Sequence, residues 1–121
     1  MSDEQSADKC KELDEDLDAI KGGGLLYIRF LVMQKRYVLS SKAYGLHADG
    51  YYELEDLENS ICCGSVQKTQ KDERSESLGN KKYVIVGPDT HGYDFYSVGK
   101  IKTSADGRTY YIITAHPMKR G

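Results

Sequence analysis

The polar side chains best suited to chemistry lie on one predicted strand near the C-terminus. Arg108, Tyr110 and His116 are separated by even numbers of positions, and side chains two positions apart project from the same face of a β-strand. We therefore expect a guanidinium, a phenol and an imidazole along one face. Such a set could bind a phosphodiester, with arginine stabilising a developing oxyanion and histidine or tyrosine moving a proton.

Two lysines on the preceding predicted strand extend this candidate site. Lys100 and Lys102 come close to the last strand in a hairpin, and we expect them to contact phosphate from the same face. The alternative is an ordinary solvent-exposed sheet face, because arginine and tyrosine fit exposed strands well. The other histidines also have structural interpretations: His47 lies in a loop, and His91 lies in a turn.

The chain carries no pattern that indicates a metal or a cofactor. Its three cysteines, Cys10, Cys62 and Cys63, are odd in number and too few for a disulfide framework, which predicts a reducing, cytoplasmic setting. The Cys62-Cys63 pair has no second pair and no spaced histidines, so a zinc site is not expected. Phosphate-binding and dinucleotide-binding motifs are absent from the sequence.

The elements that must position these residues are strands in the second half of the chain. Three β-branched and aromatic runs between Lys81 and Pro117 are separated by turn signals at 87–92 and 104–107, which predicts an antiparallel meander. Ser65 to Asp72 alternates weakly and is predicted to be the first strand of this sheet. Tyr37 to Ser41 is a brief extended segment.

Helices are predicted in the first half. Leu25 to Arg36 has one apolar helical face and is predicted to be a helix, although its β-branched and aromatic residues would also suit a strand. Glu53 to Cys63 begins with acids and is followed by Gly64 at the C′ position. Asp8 to Lys21 predicts an acidic helix, ended by three glycines at 22–24. The expected fold is α+β, with two or three N-terminal helices packed on a four-stranded antiparallel sheet. Residues 1–24 would form an acidic helix with a glycine-rich hinge, and residues 25–121 the domain.

Charge is distributed unevenly along the chain. Residues 1–21 hold eight acids and three lysines, whereas the remainder holds eleven acids and fourteen bases. The strand-rich half is thus mildly basic, which suits an anionic partner or an ordinary solvated surface. The longest apolar run, Leu25 to Met33, is far shorter than the ~20 residues of a membrane helix, so no membrane association is expected. Ten tyrosines indicate either interfaces or base stacking, or amphipathic packing at the edges of elements.

The order of the motifs YVLSSKA, ELEDLENSICCGSV, KKYVIVG, YDFYSVGKI and GRTYYIITAHP, after an N-terminal helix, resembles a bacterial family called domain of unknown function 4258. The similarity covers Leu25 to Pro117. It implies the RelE-like toxin fold, whose better-known members are metal-independent endoribonucleases of messenger RNA. It also implies an antitoxin-like protein partner.

One departure from that family concerns the segment that typically reads Ser-x-His-Ala. Here it is Ser40-Ser41-Lys42-Ala43, so Lys42 stands at the histidine position. Lysine holds a phosphate well but is a poor base near neutral pH, and His47 is the nearest imidazole that could compensate.

Three functional hypotheses follow from the sequence. The first is a RelE-like endoribonuclease toxin, active or degenerate, with Arg108, Tyr110 and His116 as catalytic residues and Lys42, Lys100 and Lys102 as RNA contacts. The second is a non-catalytic module that binds a protein partner. The third is a homodimer formed by pairing exposed sheet edges.

Overall fold

The computed structural model describes residues 24–73, 81–105 and 107–118. The predicted acidic helix Asp8 to Lys21 lies outside these residues. The described elements follow one another as α1 (Leu25–Met33), β1 (Tyr37–Leu39), α2 (Ser41–Ala48), α3 (Leu54–Cys63), β2 (Ser65–Lys71), β3 (Lys81–Pro88), β4 (Asp94–Ser104) and β5 (Gly107–Pro117). The α+β class is confirmed.

The sheet has five strands in the order β1-β5-β4-β3-β2. Strands β2 to β5 form the antiparallel meander predicted from the turn signals. The prediction of a four-stranded, wholly antiparallel sheet is wrong, because β1 joins the sheet parallel to β5, with Tyr37 opposite Tyr110. Three residues give too short a pattern to show this pairing, and the partner strand is remote in sequence.

The hydrophobic core lies between the three described helices and one face of the sheet. Ile28, Leu57 and Ile61 of the helices are fully buried, as are Ile85 and Ile112 of the sheet. Register places Ile85 opposite Ser97, and Ile112 opposite Gly99, so Ile85 and Ile112 share the face that packs on the helices. We call this the helix face.

Helix α3 forms where the sequence predicted it, whereas α1 begins at Leu25 as predicted but ends at Met33, three residues before the predicted Arg36. Helix α3 begins with a capping box between Glu53 and Asp56, which satisfies two backbone donors at once. Helix α1 ends in a Schellman motif: the amides of Lys35 and Arg36 donate to the carbonyl oxygens of Val32 and Leu31 at 3.0 and 2.8 Å. Lys35 adopts φ 59° there, a conformation that usually favours glycine.

Helix α2 was not recognised in the sequence as a helix. Its N-cap is Ser40, whose hydroxyl accepts a hydrogen bond from the amide of Ala43 at 3.1 Å. Gly45 weakens the helical pattern. Only Ala43 of this helix is fully buried, so the apolar periodicity that normally indicates a helix is missing.

Gly64 follows α3 as predicted, but its backbone is extended and not left-handed. A Cβ at Gly64 would overlap the carbonyl oxygens of Ser60 and Val86, and a Cβ at Gly87 would overlap Ser60 as well. The two glycines therefore allow the end of α3 to contact β3 backbone to backbone. From α1, Arg29 donates to the carbonyl oxygens of Ile61 and Gly64 at 3.1 and 2.6 Å and completes the helix end.

Strand β5 contains a β-bulge, which changes the faces predicted for its side chains. Thr114 pairs with Val98, but Ile112 pairs with the next residue, Gly99, so Ile113 is an extra residue. Period-two alternation is broken at that point. The prediction that Arg108, Tyr110 and His116 share one face is therefore wrong.

No helix of the described residues is long and apolar enough to span a membrane.

Candidate functional site

Arg108 and Tyr110 lie on the helix face. Tyr110 pairs with Ile101 and is fully buried. Its ring packs over Gly99, where a Cβ would collide with it, and burial raises the pKa of the phenol. The guanidinium of Arg108 lies 5.6 Å from the ring centroid of Tyr27 on α1. Tyr110 thus contributes to the core and cannot meet a substrate on the opposite face.

His116 lies on the opposite face because it follows the bulge. Its ring stacks on Tyr96 with centroids 5.0 Å apart, and its Nδ1 is 3.0 Å from the carbonyl oxygen of Pro117. A carbonyl only accepts hydrogen bonds, so Nδ1 carries the proton and Nε2 is left as the basic nitrogen. The imidazole could accept a proton through Nε2, but neither Arg108 nor Tyr110 lies on its side of the sheet.

Lys42 and His47 are both on α2, apart from the sheet residues. Lys42 is exposed in the first turn. The Nδ1 of His47 is 2.9 Å from the carbonyl oxygen of Tyr52, whose hydroxyl donates to Ala43 at 2.7 Å. These bonds join the end of α2 to the start of α3. His47 therefore has a structural role here and does not complete a site around Lys42.

The lysines of the predicted site lie on the sheet face opposite the helices. Lys100 pairs with Tyr111, and Lys102 pairs with Thr109, so both are on the side away from Tyr110. The strand register also places Lys68 of β2, which pairs with Val84, and Lys82 of β3 on this face. We call the surface formed by Lys68, Lys82, Lys100 and Lys102 the lysine face.

A cavity of about 240 Å³ opens on the lysine face. It is lined by Asp72, Lys82, Lys100, Tyr111 and Ile113. Lys82 lies beside Lys100, one position beyond the pair formed by Tyr83 and Gly99. Two ammonium groups and one carboxylate give the cavity a net positive charge, which suits an anionic ligand.

An ion pair anchors the floor of this cavity. The Nζ atom of Lys100 is 3.5 Å from Oδ2 of Asp72, and both side chains are almost fully buried. Removing either partner would leave the other charge buried without it. Lys100 therefore shapes the cavity, whereas the less buried Lys82 and Lys102 are better placed to meet a ligand.

Aromatic rings accompany the lysines. The Nζ atom of Lys102 lies 4.8 Å from the centroid of the Tyr111 ring, a cation–π contact. Toward the other end of the face, Tyr96 and His116 form the stacked pair. Tyr96, which pairs with His116, and Lys100, which pairs with Tyr111, are four positions apart on β4, which at 3.3 Å per residue is about 13 Å. His116 does not line the cavity.

Sequence reasoning missed Asp72 and Lys82. Asp72 was placed at the end of the first predicted strand, and Lys82 at the start of the meander, with no role for either. Counting register across the hairpins could have put Lys82 beside Lys100, because the turns at 87–92 and 104–107 were recognised correctly. Nothing in the sequence showed that Asp72 folds back onto the sheet.

No three histidine, cysteine, aspartate or glutamate side chains in the described part of the chain are grouped closely enough to hold a metal ion. Comparison with protein-family models, curated proteins and solved structures gave no match. The resemblance to a RelE-like family stays a prediction.

Proposed function

We propose that this chain is an RNA-binding domain of RelE-like layout, a degenerate relative of the endoribonuclease toxins. The observation that carries the proposal is the cavity on the lysine face, where Lys82 and Lys100 converge beside Tyr111. RNA supplies both groups that such a surface recognises, a phosphate for the ammonium groups and a base for the aromatic ring.

Electrostatics favour an anion on this face. Like charges on neighbouring strands destabilise a sheet, and Lys82 and Lys100 are such neighbours. Asp72 offsets part of this repulsion through its ion pair with Lys100. A phosphate bound between Lys82 and Lys102 would offset more of this repulsion, and the counterions of the phosphate would be released to the solvent.

The aromatic residues favour a single-stranded nucleic acid. Tyr111 is partly exposed beside Lys102, and Tyr96 and His116 are partly exposed farther along the face. Bases stack on such rings only when they are unpaired. Tyr96 and the β4 residue that pairs with Tyr111, Lys100, are four positions apart, so the two aromatic positions are about 13 Å apart, which would extend over about two to three nucleotides.

The proposal is for binding and not for cleavage. An endoribonuclease needs its base and its oxyanion-stabilising cation around the same phosphate. Arg108 packs against Tyr27 on the helix face, Tyr110 is in the core, and His116 does not line the cavity. These positions support a domain that has kept phosphate contacts without a complete catalytic set.

The test of binding compares the double variant Lys82→Ala/Lys102→Ala with Lys71→Ala. Lys71 is an exposed lysine that pairs with Lys81 on the helix-face side of β2, so Lys71→Ala controls for the loss of a lysine outside the lysine face. Binding of a fluorescent 12-nucleotide single-stranded RNA is measured by anisotropy at several salt concentrations. The double variant should lower the slope of log K against log salt by about 1.4, because each phosphate contact on a single strand contributes about 0.7.

Binding that is equal in the wild type and the double variant, with the same salt slope, would contradict the proposal. Lys71→Ala should retain the wild-type slope. Both variants are checked by thermal unfolding, so that a loss of binding is not confused with a loss of fold.

A separate experiment tests the loss of catalysis. The wild type and the variant Arg108→Ala/His116→Ala are expressed from a tight inducible promoter, and growth and RNA integrity are followed. We expect both proteins to leave RNA intact. Growth arrest with RNA cleavage by the wild type alone would show that the enzyme is active and that these residues belong to it.

Recognition of a protein partner is a second candidate function. Tyr44 on α2 and Tyr51 just after it are 59% and 63% exposed, and exposed tyrosine is enriched at protein interfaces. Replacing both with serine should leave RNA binding unchanged and reduce only partner binding, which pull-down with the wild type and the double variant would reveal.

A further inference from the structure

A second cavity, of about 420 Å³, opens beside β1 at the edge of the described sheet. It is lined by Lys35, Tyr37, Leu39, Leu54, Glu55 and Glu58. Two leucines provide apolar walls, and two carboxylates oppose one ammonium group. This cavity is therefore suited to a ligand with an apolar stem and a cationic end, which is the opposite of the lysine face.

Glu58 is the centre of the polar contacts in this cavity. Its carboxylate accepts a hydrogen bond from the hydroxyl of Tyr37 and bonds from Nζ of Lys35 at 2.7 and 2.8 Å. Burial raises the pKa of Tyr37, and the hydrogen bond to Glu58 raises it further, so the phenol remains a donor. Tyr37 thereby holds the carboxylate in one orientation.

The ion pair between Lys35 and Glu58 is weak. The side chain of Lys35 is 70% exposed, whereas that of Glu58 is 20% exposed. An ion pair that exposed contributes little, because solvent screens it and the long side chain loses freedom in forming it. A cation arriving from outside with better geometry can therefore displace the ammonium group of Lys35 from Glu58.

The backbone of β1 offers hydrogen bonds next to the cavity. The carbonyl oxygen of Arg36 and the amide of Ser40 bond to β5, at Tyr110 and Ile112. Because successive residues of a strand point their backbone groups to alternate sides, the amides and carbonyls of Tyr37 and Leu39 point away from β5. In the described sheet β1 is an edge, and such an edge can accept a further strand.

We propose that the β1 edge and its cavity bind an extended peptide segment of a partner protein, with an arginine of that segment entering the cavity. The backbone of the segment pairs with Tyr37 and Leu39. Its guanidinium replaces Lys35 on Glu58, and its aliphatic stem packs against Leu39 and Leu54.

The charge and the shape of the guanidinium group favour arginine over lysine in such a segment. The planar guanidinium bonds a carboxylate through two parallel N–H donors, which a lysine ammonium cannot reproduce. It can also stack on the ring of Tyr37. Residues on either side of the arginine face the opposite side of the sheet, where Val38 is 51% exposed, so apolar residues are favoured at those positions.

The probe is the blocked peptide acetyl-Thr-Val-Arg-Val-Thr-amide, titrated into the full chain labelled with nitrogen-15. The control peptide carries citrulline, a neutral isostere, in place of arginine. We expect the arginine peptide to bind at least about tenfold more tightly, because hydrogen bonds between charged groups are the stronger ones. The amide resonances of Tyr37 and Leu39 should shift on binding.

Variants of the chain test the role of each group. Glu58→Gln keeps the shape and removes the charge, so affinity should fall about tenfold. Lys35→Ala removes the competing ammonium group, so affinity should rise about threefold. Asp94→Asn is the matched control, since it removes an exposed carboxylate outside the cavity, and it should leave affinity unchanged. Thermal unfolding of each variant confirms that it is folded.

Three outcomes would overturn the proposal. One is equal affinity for the arginine and citrulline peptides. Another is an unchanged affinity in Glu58→Gln together with a lower affinity in Lys35→Ala, which would make lysine the binding group. The third is blocked free arginine binding as tightly as the peptide without shifts at Tyr37 and Leu39, which would show that the cavity takes a small cation and the strand edge takes no part.

Discussion

Tyr110 shows how a residue type can suggest chemistry while its position excludes it. Its hydroxyl and that of Ser97 are the two buried side-chain polar atoms in the described residues that have no hydrogen-bond partner. A buried hydroxyl without a partner costs about 1–3 kcal/mol. Alternation along the strand predicted that Tyr110 lies on a polar sheet face. Its position in the core follows from its pairing with Ile101, which only the strand register reveals.

Tyr110→Phe should therefore be neutral or should stabilise the protein by about 1 kcal/mol. Tyr52→Phe is the matched control, because the Tyr52 hydroxyl donates to the carbonyl oxygen of Ala43 at 2.7 Å. We expect that control to lose about 1 kcal/mol. Urea unfolding of both variants measures the difference. A loss of stability in Tyr110→Phe as large as that in Tyr52→Phe would mean that the hydroxyl has a partner.

Asp56 is a residue whose protonation should affect stability. Burial alone would raise its pKa, but hydrogen bonds from the hydroxyl and amide of Thr90 and from the amide of Glu53 outweigh burial. The folded-state pKa is consequently below the ordinary value of 3.8. A depressed pKa gives stability that is fully present above the ordinary value and is lost as the pH falls through the folded value.

The free energy of unfolding should therefore fall below about pH 4, and Asp56→Asn should remove part of that fall. Asp94→Asn, at an exposed carboxylate, is the comparison. Urea unfolding between pH 2.5 and 6 measures both. If Asp56→Asn has the same acid dependence as the wild type, these hydrogen bonds do not depress the pKa.

The described glycines include positions where a side chain would clash and positions where it would not. Gly64 and Gly87 lie where α3 and β3 meet, and a Cβ at either would overlap the Ser60 carbonyl oxygen. Gly45, in the middle of α2, has nothing within 4 Å of the place where a Cβ would stand. The same substitution should therefore have opposite effects.

Gly64→Ala and Gly87→Ala should each destabilise the protein by about 2 kcal/mol or more, since the backbone has to move apart. Gly45→Ala should stabilise it by about 0.5–1 kcal/mol, the difference in helix propensity. Thermal and urea unfolding of the three variants gives the comparison. A stable Gly64→Ala protein would show that the contact between α3 and β3 tolerates a shift.

The sequence predicted most of the elements because each has a local cause. The meander follows from β-branched runs and turn residues, and α3 follows from its acids and leucines. No residue near Ile113 indicates a bulge in the sequence, because isoleucine suits a regular strand equally well. The single extra residue Ile113 therefore places His116 on the opposite face of the sheet from Arg108 and Tyr110, so the three predicted site residues do not come together.

The whole molecule presents two surfaces of opposite chemistry. The lysine face surrounds the cavity at Lys82 and Lys100, and the cavity at the β1 edge contains Glu55 and Glu58. Neither could be derived from composition, because a net charge of −2 averages over both. Pairing across the sheet assembles each of them from residues far apart in the chain.

Hydrogen exchange should show which parts of the molecule open most readily. Strand β5 is paired on both sides, by β1 and β4, so its central amides should be among the slowest to exchange. The amides of Tyr37 and Leu39 point away from β5 and should exchange at least about 100-fold faster. Exchange followed by NMR measures each amide. Equal protection of Tyr37 and Ile112 would show that another group covers the β1 edge.

The parallel pairing of β1 with β5 also has a consequence for the time at which the protein can fold. Tyr37 and Tyr110 are 73 positions apart, counted from their numbers, and β5 lies inside the sheet although it follows every other described strand in the sequence. A nascent chain can form the β3–β4 hairpin before β5 is available, but the core closes only after β5 has left the ribosome. Until then Tyr37–Leu39 and β4 both expose unpaired edges, and this is when the chain is most exposed to aggregation and to capture by chaperones.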